Sequence, residues 1–238
     1  MSQTLLIPGR FNGPVNSGHG GYCAGVIASF VEGPAEVTLR SPVPLERTLD
    51  VIRENDGSVR VLEGETLVAE AQPTPELELQ VPEPVSVEEA RLATTRYQGK
   101  PDELFGRCFV CGRGREDALG VFAGSVEGRQ LVASPWTPLD WTADAEGRVL
   151  PEFIWAVLDC PTYFAVYTNG ELPVSFLGRL TARVEAPVIS GEEHVVIAWP
   201  IGADGRKRNA GAAVLSSDGV PLAFARALMI EPRGGSPG

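Results

Sequence analysis

The sequence predicts an α+β protein in which one helix followed by antiparallel strands occurs twice. An apolar run from Gly20 to Val31 has the length of a short helix, and three strand-like runs follow it. A second helix-like run, from Pro151 to Tyr167, is also followed by three strand-like runs. Turns that contain Gly between β-branched runs are typical of antiparallel hairpins. The chain is therefore expected to consist of two halves built on one plan.

The predicted strands are apolar runs rich in β-branched residues, and several end at Pro or Gly, which suits the ends of strands. In the first half they run from Ala35 to Pro42, from Thr48 to Glu54, and from Ser58 to Ala71 with a turn at Glu63-Gly64. In the second half they run from Leu119 to Gly124, Gln130 to Ser134, Leu177 to Pro187 and His194 to Trp199, and from Ala210 to Ile230 with a turn at Asp218-Gly219.

Composition shifts along the chain predict its domain organisation. Residues 1–72 form a first, short domain and residues 101–232 a second one. Between them, residues 73–100 are rich in proline and acid, which predicts an extended linker. Within this linker, Glu88 to Thr95 is expected to form a short helix. Residues 233–238 predict a disordered tail.

Overall composition excludes several classes of function. The formal charge of −11 argues against binding to nucleic acid or to an anionic membrane surface. No apolar run approaches the roughly 20 residues that a membrane-spanning helix needs. The N-terminus lacks the basic and then apolar pattern of a secretory signal, so a cytoplasmic location is predicted.

The chain has four cysteines: Cys23, Cys108, Cys111 and Cys160. Cys108 and Cys111 form a CxxC pair, which is compatible with zinc binding or with redox chemistry. Structural zinc needs about four ligands, and no second pair at ligand spacing completes a set. A redox role is typical of a βα context, which this segment lacks. The favoured interpretation is a reduced structural turn, so neither a metal nor another cofactor is predicted.

The segment Asn16-Ser17-Gly18-His19-Gly20-Gly21-Tyr22 precedes the first helix and contains one of only two histidines. Unpaired N–H groups at a helix N-terminus can hold a carbonyl oxygen and stabilise negative charge on it. Glycines let a ligand approach such a backbone closely. The alternative is an ordinary glycine-rich loop with a polar cap. For His19 itself, the alternatives are a contact with substrate or water and a hydrogen bond within the loop.

Two motifs resemble the hotdog-fold thioesterase superfamily in its double-hotdog form. His19-Gly20-Gly21-Tyr22 resembles the element that opens the helix in its acyl-thioesterase members. Cys108-Phe109-Val110-Cys111-Gly112, followed by Leu119-Gly120, is similar to a stretch that precedes their first strand. The resemblance implies two antiparallel sheets, each wrapped around a central helix.

In single-domain relatives, two protomers build each site together. One protomer supplies a glycine or histidine element at the start of its helix, and the other supplies an acidic residue from its own helix. Here the first helix has Ala28 at the position of the acid, whereas the second has Asp159. The second half has Leu150 where the first has His19. The resemblance therefore implies one composite site, with Asp159 and His19 as catalytic residues. Substrate would be bound by Asn16, Gly20, Gly21 and Tyr22.

Asp159 lies in a segment that is apolar almost all round and is expected to be buried. A buried carboxylate is costly unless it is hydrogen-bonded or has a raised pKa, which suits general-base or nucleophilic work. The alternative is a structural aspartate that caps the segment near Pro161. His194, in a strand-like run, is interpreted as a surface or edge residue.

The basic turn that contains Arg206 and Arg208 is the best local cluster for the phosphates of coenzyme A. A solvated charged turn is the alternative.

The sequence thus favours a hydrolase that cleaves an acyl-CoA or another acyl thioester. One rival is a hydratase or dehydratase of enoyl or 3-hydroxyacyl thioesters, which would need Asp159 and His19 in contact. The other rival is a non-catalytic binder of acyl ligands. Two points support this rival: only one composite site survives, and Arg226-Ala227-Leu228 stands where larger relatives carry a glutamine that helps to hold water. A homo-oligomer is possible through exposed sheet edges.

Overall fold

The structure, a computed structural model, describes residues 3–100, 104–167 and 172–233. Within these residues, 11 strands form one antiparallel sheet in the order β1-β3-β4-β5-β2-β8-β11-β10-β9-β7-β6. The strands are Gln3–Leu6 (β1), Ala35–Leu39 (β2), Thr48–Arg53 (β3), Val59–Glu63 (β4), Thr66–Pro73 (β5), Gly124–Ser125 (β6), Val132–Trp136 (β7), Phe176–Val184 (β8), His194–Asp204 (β9), Lys207–Ser216 (β10) and Pro221–Ile230 (β11). The helices are Gly20–Ala28 (α1), Val87–Thr94 (α2) and Pro151–Val166 (α3).

The strand order confirms the predicted internal repeat. On one side of the sheet centre the order is β2-β5-β4-β3, and on the other side it is β8-β11-β10-β9. The two halves meet where β2 pairs antiparallel with β8, with Thr38 opposite Arg179 and Glu36 opposite Thr181. The expectation of two separate sheets is therefore corrected to one continuous sheet, because the two strands at the junction share backbone hydrogen bonds.

The two faces of the sheet are covered differently. α1 and α3 lie side by side on one face, where α3 contacts β7 to β11 and α1 contacts β2, β5 and β8. Along β9, Val196 and Ala198 pack in this main core, whereas Val195 and Ile197 pack in a second cluster. This alternation follows from the two-residue period of a strand.

The predicted linker covers part of the second face. Leu77 and Val85 are buried in the second cluster together with Ala90 and Ala93 of α2. The short helix expected at Glu88 to Thr95 is confirmed with a shift of one residue. A capping box begins it, since the Ser86 hydroxyl accepts from the Glu89 N–H while the Glu89 carboxylate accepts from the Ser86 N–H.

Two sequence expectations need correction, and one strand was not predicted. The strand predicted from Leu119 to Gly124 is wrong except at its last residue, because Leu119 and Val121 instead bond to the backbone of Phe109 and Val110. β1 was not predicted, since its four residues are too short to show alternation. His194 is 2% exposed rather than a surface residue, because Trp136 of β7 lies opposite it.

The predicted tail, apart from Arg233, lies outside the described residues. None of the described helices is both long and apolar enough to span a bilayer.

α1 and α3 cross at unusually short range because α1 carries glycine at the contact. A methyl group at Gly25 would lie 2.6 Å from the Glu152 Cα, and one at Gly21 would lie 2.5 Å from the Trp155 carbonyl oxygen. Both distances are below any normal carbon contact. The crossing therefore depends on the missing side chains.

Gly25→Ala is expected to destabilise the protein by roughly 1–3 kcal/mol, because the added methyl group forces the helices apart despite alanine's better helix propensity. Urea denaturation measures the effect. Ser29→Ala, at the exposed end of the same helix, is the control and should change stability by less than about 0.5 kcal/mol. An unchanged midpoint for Gly25→Ala would show that the helices can separate without cost.

Candidate active site between the two halves

A cavity of about 560 Å³ opens beside the N-terminus of α1. Its wall is mainly apolar and comes from both halves of the chain, including Leu39, Val43, Phe105, Tyr163, Leu177 and Met229. Its polar lining includes a contiguous group of His19, Asp159 and three cysteines, and also Asn16, Ser17, Arg40, Ser41 and Ser175. A pocket of this size, apolar with a few convergent polar groups, is typical of small-molecule sites.

His19 is the N-cap of α1. Its backbone is extended, with φ −64° and ψ 126°, and its Nδ1 accepts a hydrogen bond from the Tyr22 N–H at 3.2 Å. A ring nitrogen that accepts carries no proton, so the neutral imidazole holds its proton on Nε2. Nε2 lies 3.1 Å from Cys160 Sγ, so this N–H donates to sulfur. His19 is thus the polar cap of the helix, and its capping bond to the Tyr22 N–H sets the tautomer of its own imidazole.

Asp159 lies at the middle of α3 and is 6% exposed. Its Oδ2 accepts a hydrogen bond from the Gly21 N–H at 2.7 Å, across the helix crossing. The capping alternative is wrong, because α3 continues through Pro161 to Val166. The Thr162 hydroxyl instead bonds back to the Asp159 carbonyl at 2.7 Å. Asp159 is therefore held by the other half of the chain, as the composite arrangement requires.

The two groups of the expected pair lie close together. The distance from His19 Nε2 to Asp159 Oδ2 is 3.7 Å, which is ion-pair range but beyond hydrogen-bond range. Burial raises the pKa of the Asp159 carboxyl, although charge on His19 and the Gly21 hydrogen bond oppose the shift. Burial lowers the pKa of His19, but negative charge on Cys108 and Asp159 outweighs it and leaves this pKa raised.

Three thiols line the cavity beside His19 and Asp159. Cys108 Sγ lies 3.7 Å from Cys160 Sγ, and the Cys111 thiol interacts with both. All four cysteines of the chain are free thiols. Burial opposes ionisation of Cys108, yet hydrogen bonds from Cys111 and Cys160 and the charge on His19 bring its pKa well below the usual range. Burial and the charge on Cys108 raise the pKa of Cys160.

Sequence reasoning missed this thiol cluster. It interpreted the CxxC pair as an isolated turn, whereas the fold brings Cys160 to the pair from 49 residues further along. No local signal links Cys160 to the pair, because the contact arises from tertiary packing of α3 against the turn.

A tight turn positions Cys108. The Phe109 N–H donates to the Asn12 carbonyl at 2.8 Å, which ties the turn to the first half. The Val110 N–H donates to Cys108 Sγ at 3.4 Å. A methyl group at Gly112 would lie 2.4 Å from the Cys108 nitrogen, so only glycine fits there. These contacts therefore hold Cys108 in a defined position at the site.

The remaining predicted residues divide into two groups. Asn16 and Gly20 line the cavity, with Asn16 in the exposed loop at its mouth. Gly21 and Tyr22 have N–H groups engaged by Asp159 and His19, and the Tyr22 ring stacks on Phe11 with centroids 4.2 Å apart. These two residues do not occur in the described cavity lining, and they position Asp159 and His19 through their backbone N–H groups.

Arg206 and Arg208 do not occur among the described residues that line the cavity. Arg206 hydrogen-bonds to the carbonyl of Glu231, and Arg208 pairs with its carboxylate at 3.0 Å. Glu231 lies between Ile230 and Pro232, which do line the cavity. The two arginines thus contact a residue adjacent to the cavity lining, and the charge of Arg208 is already paired with a carboxylate.

Comparison with known proteins supports the architecture. No family model matches the chain, and no curated protein matches its sequence. Among solved structures, a protein from Novosphingobium aromaticivorans assigned as a thioesterase aligns with a TM-score of 0.62, covering 96% of this chain and 94% of that one, at 10% identity. A protein of unknown function with a hot dog fold, from Alicyclobacillus acidocaldarius, aligns with a TM-score of 0.60, covering 99% and 93%, at 12% identity.

This chain has the hotdog fold. A third match is the tesB protein of Mycobacterium avium subs paratuberculosis, with a TM-score of 0.55, coverage of 89% and 84%, and 13% identity. The expected hotdog architecture is thus supported over nearly the whole chain. Because identity is so low, the likeness speaks for the fold, and the chemistry has to be argued from the site.

The raised pKa of Asp159 predicts a pH-dependent stability. Since the folded state binds the proton more tightly than the unfolded state, the carboxyl favours folding below its unfolded pKa. This contribution is lost as pH rises through the folded pKa. Asp159→Asn keeps an acceptor for Gly21 without the buried charge. At pH 7 it should be more stable than the wild type by on the order of 1 kcal/mol, with the advantage vanishing near pH 3. Urea titrations across this range test it, and an advantage that grows towards acid would contradict it.

Proposed function

We propose that this protein is a thioesterase that hydrolyses an acyl-CoA, or another acyl thioester, at one composite site between its two hotdog halves. The observation that carries the proposal is the contact between Gly21 of the first half and Asp159 of the second, where Asp159 lines a mainly apolar cavity. A thioester substrate needs this combination: an apolar volume for the acyl chain and a carboxylate beside the reacting carbonyl.

In the proposed reaction, Asp159 activates water or attacks the thioester carbonyl itself. Gly20 lines the cavity at the N-terminus of α1, so its backbone N–H is our candidate for polarising the carbonyl oxygen. The N–H groups of Gly21 and Tyr22 hold Asp159 and His19 and thus preorganise the site. His19 would position the substrate or water with its Nε2–H.

The carrier would leave the cavity at its mouth, close to Asn16. Arg206 and Arg208 contact Glu231, whose neighbours Ile230 and Pro232 line the cavity, and we propose that they attract the phosphates of coenzyme A there. A cytoplasmic location fits the free thiols of the chain.

A second candidate is a hydratase or dehydratase of enoyl or 3-hydroxyacyl thioesters. The 3.7 Å separation between His19 Nε2 and Asp159 Oδ2 favours it, since a bound substrate could draw the two groups together around one water. Two observations favour hydrolysis instead, because each group of the pair has another partner. Asp159 bonds to the Gly21 N–H, and the Nε2–H of His19 is nearest to Cys160.

Asp159→Asn is expected to lower the rate of thiol release from acyl-CoA by about 10²-fold or more, because it removes the base while retaining the amide acceptor for Gly21. A panel of acyl chain lengths, followed with a thiol reagent, measures this rate. Asp140→Asn is the matched control, since it makes the same change at an exposed acid and should leave the rate unaltered.

The panel includes enoyl-CoA substrates, whose enoyl absorbance reports addition of water. Loss of enoyl absorbance without thiol release would favour the hydratase. Turnover that survives in Asp159→Asn would show that another group is the base. Acyl ligands that raise the melting temperature without any turnover would favour the binding protein.

A further inference from the structure

The geometry points to Cys108 and Cys160 as a modification site: a thiol pair in the cavity wall that hydroperoxides oxidise to a disulfide. The inference stands on the arrangement of the thiols and does not depend on the proposed thioesterase activity. It concerns groups that the proposed reaction leaves unused.

Contact between the two sulfurs is the first argument. At 3.7 Å, Cys108 Sγ and Cys160 Sγ touch, and a disulfide requires them to approach to about 2.05 Å. Cys108 lies in the turn before Gly112, whereas Cys160 lies on α3. The approach thus brings a turn towards a helix that it already contacts.

Stabilisation of a thiolate is the second argument. Cys108 Sγ accepts from the Val110 N–H at 3.4 Å and also receives hydrogen bonds from its two neighbouring thiols. The Nε2–H of His19 donates to the neighbouring Cys160 Sγ at 3.1 Å, since Nδ1 is occupied by the Tyr22 N–H. Donors that converge on one sulfur favour its anionic form, which is the form that reacts with peroxides.

The tautomer of His19 also separates this inference from a metal site. His19, Cys108 and Cys160 place three potential ligand atoms within 4.8 Å of one another. A metal would need the lone pair of Nε2, however, and a metal-bound histidine ordinarily donates from its other nitrogen. Here the other nitrogen faces a donor, the Tyr22 N–H. The geometry therefore favours thiol chemistry.

Access is the third argument. Both Cys108 and Cys160 line the cavity, and Cys160 is only partly buried. Cys23 offers a contrast within the same chain, because it does not occur among the described residues that line the cavity, and burial raises the pKa of its thiol. A small peroxide that enters the cavity therefore meets Cys108, Cys160 and the adjacent Cys111, but not Cys23.

The proposed reaction balances in two steps. The Cys108 thiolate attacks the terminal oxygen of a hydroperoxide, the O–O bond breaks, and the alkoxide takes a proton to leave as an alcohol. This gives a sulfenic acid at Cys108. The Cys160 thiol then loses its proton and attacks the Cys108 sulfur, and hydroxide leaves and takes the proton to form water. Two thiols and one hydroperoxide thus yield one disulfide, one alcohol and one water.

The test treats the reduced full chain with cumene hydroperoxide and counts thiols, with peptide mapping by mass spectrometry. The expected result is the loss of two of the four thiols and a mass decrease of about 2 Da, both reversed by dithiothreitol, with Cys108 linked to Cys160. Cys23 should react at least about tenfold more slowly. Zinc analysis of the same sample should find no stoichiometric metal.

Variants sharpen the test. In Cys160→Ser the disulfide should be lost while a sulfenic acid at Cys108 becomes trappable by dimedone. Cys111→Ser and Cys23→Ala are controls that keep the pair and should still form the disulfide. A Cys108–Cys111 disulfide, thiols that resist the peroxide, or stoichiometric zinc on them would each overturn the inference. Acyl-CoA hydrolysis by the reduced protein is measured separately. The thioesterase proposal and the disulfide proposal can therefore be contradicted independently of each other.

Discussion

The crossing of α1 and α3 is the constraint on which the site depends. Because Gly21 and Gly25 carry no side chains, the two backbones approach closely enough for the Asp159 carboxylate to accept a hydrogen bond from the Gly21 N–H. The same crossing closes the cavity between the halves and buries Asp159. Larger residues at either glycine would open the gap and leave the carboxylate without its partner.

Burial at this crossing decides the electrostatics of the site. The carboxyl of Asp159, the imidazole of His19 and the thiols of Cys108 and Cys160 share one poorly hydrated volume, so each charge alters the others. The α1 N-terminus and the Val110 N–H supply the positive ends of backbone dipoles. These local donors stabilise the buried acidic groups of the site, although the protein as a whole carries a net charge of −11.

Much of this fold could be predicted from the sequence because its signals are local. The two apolar helices, the hairpins of the second half and the capping box at Ser86 all depend on neighbouring residues. The internal repeat was equally visible, whereas the pairing of Asp159 with His19 from different halves was implied by the resemblance to hotdog thioesterases. The strand expected at Leu119 failed because tertiary hydrogen bonds to Phe109 and Val110 replaced a β-ladder.

By itself, the sequence determined the α+β class, the repeat, and the residue types that could carry chemistry, since periodicity and turn residues act over a few positions. Only the tertiary structure decided that both halves share one sheet, through the pairing of β2 with β8. It also decided that Cys160 meets Cys108 across 52 positions and that the Nε2–H of His19 finds Cys160 as its acceptor. Such contacts arise from long-range packing, which no local pattern encodes.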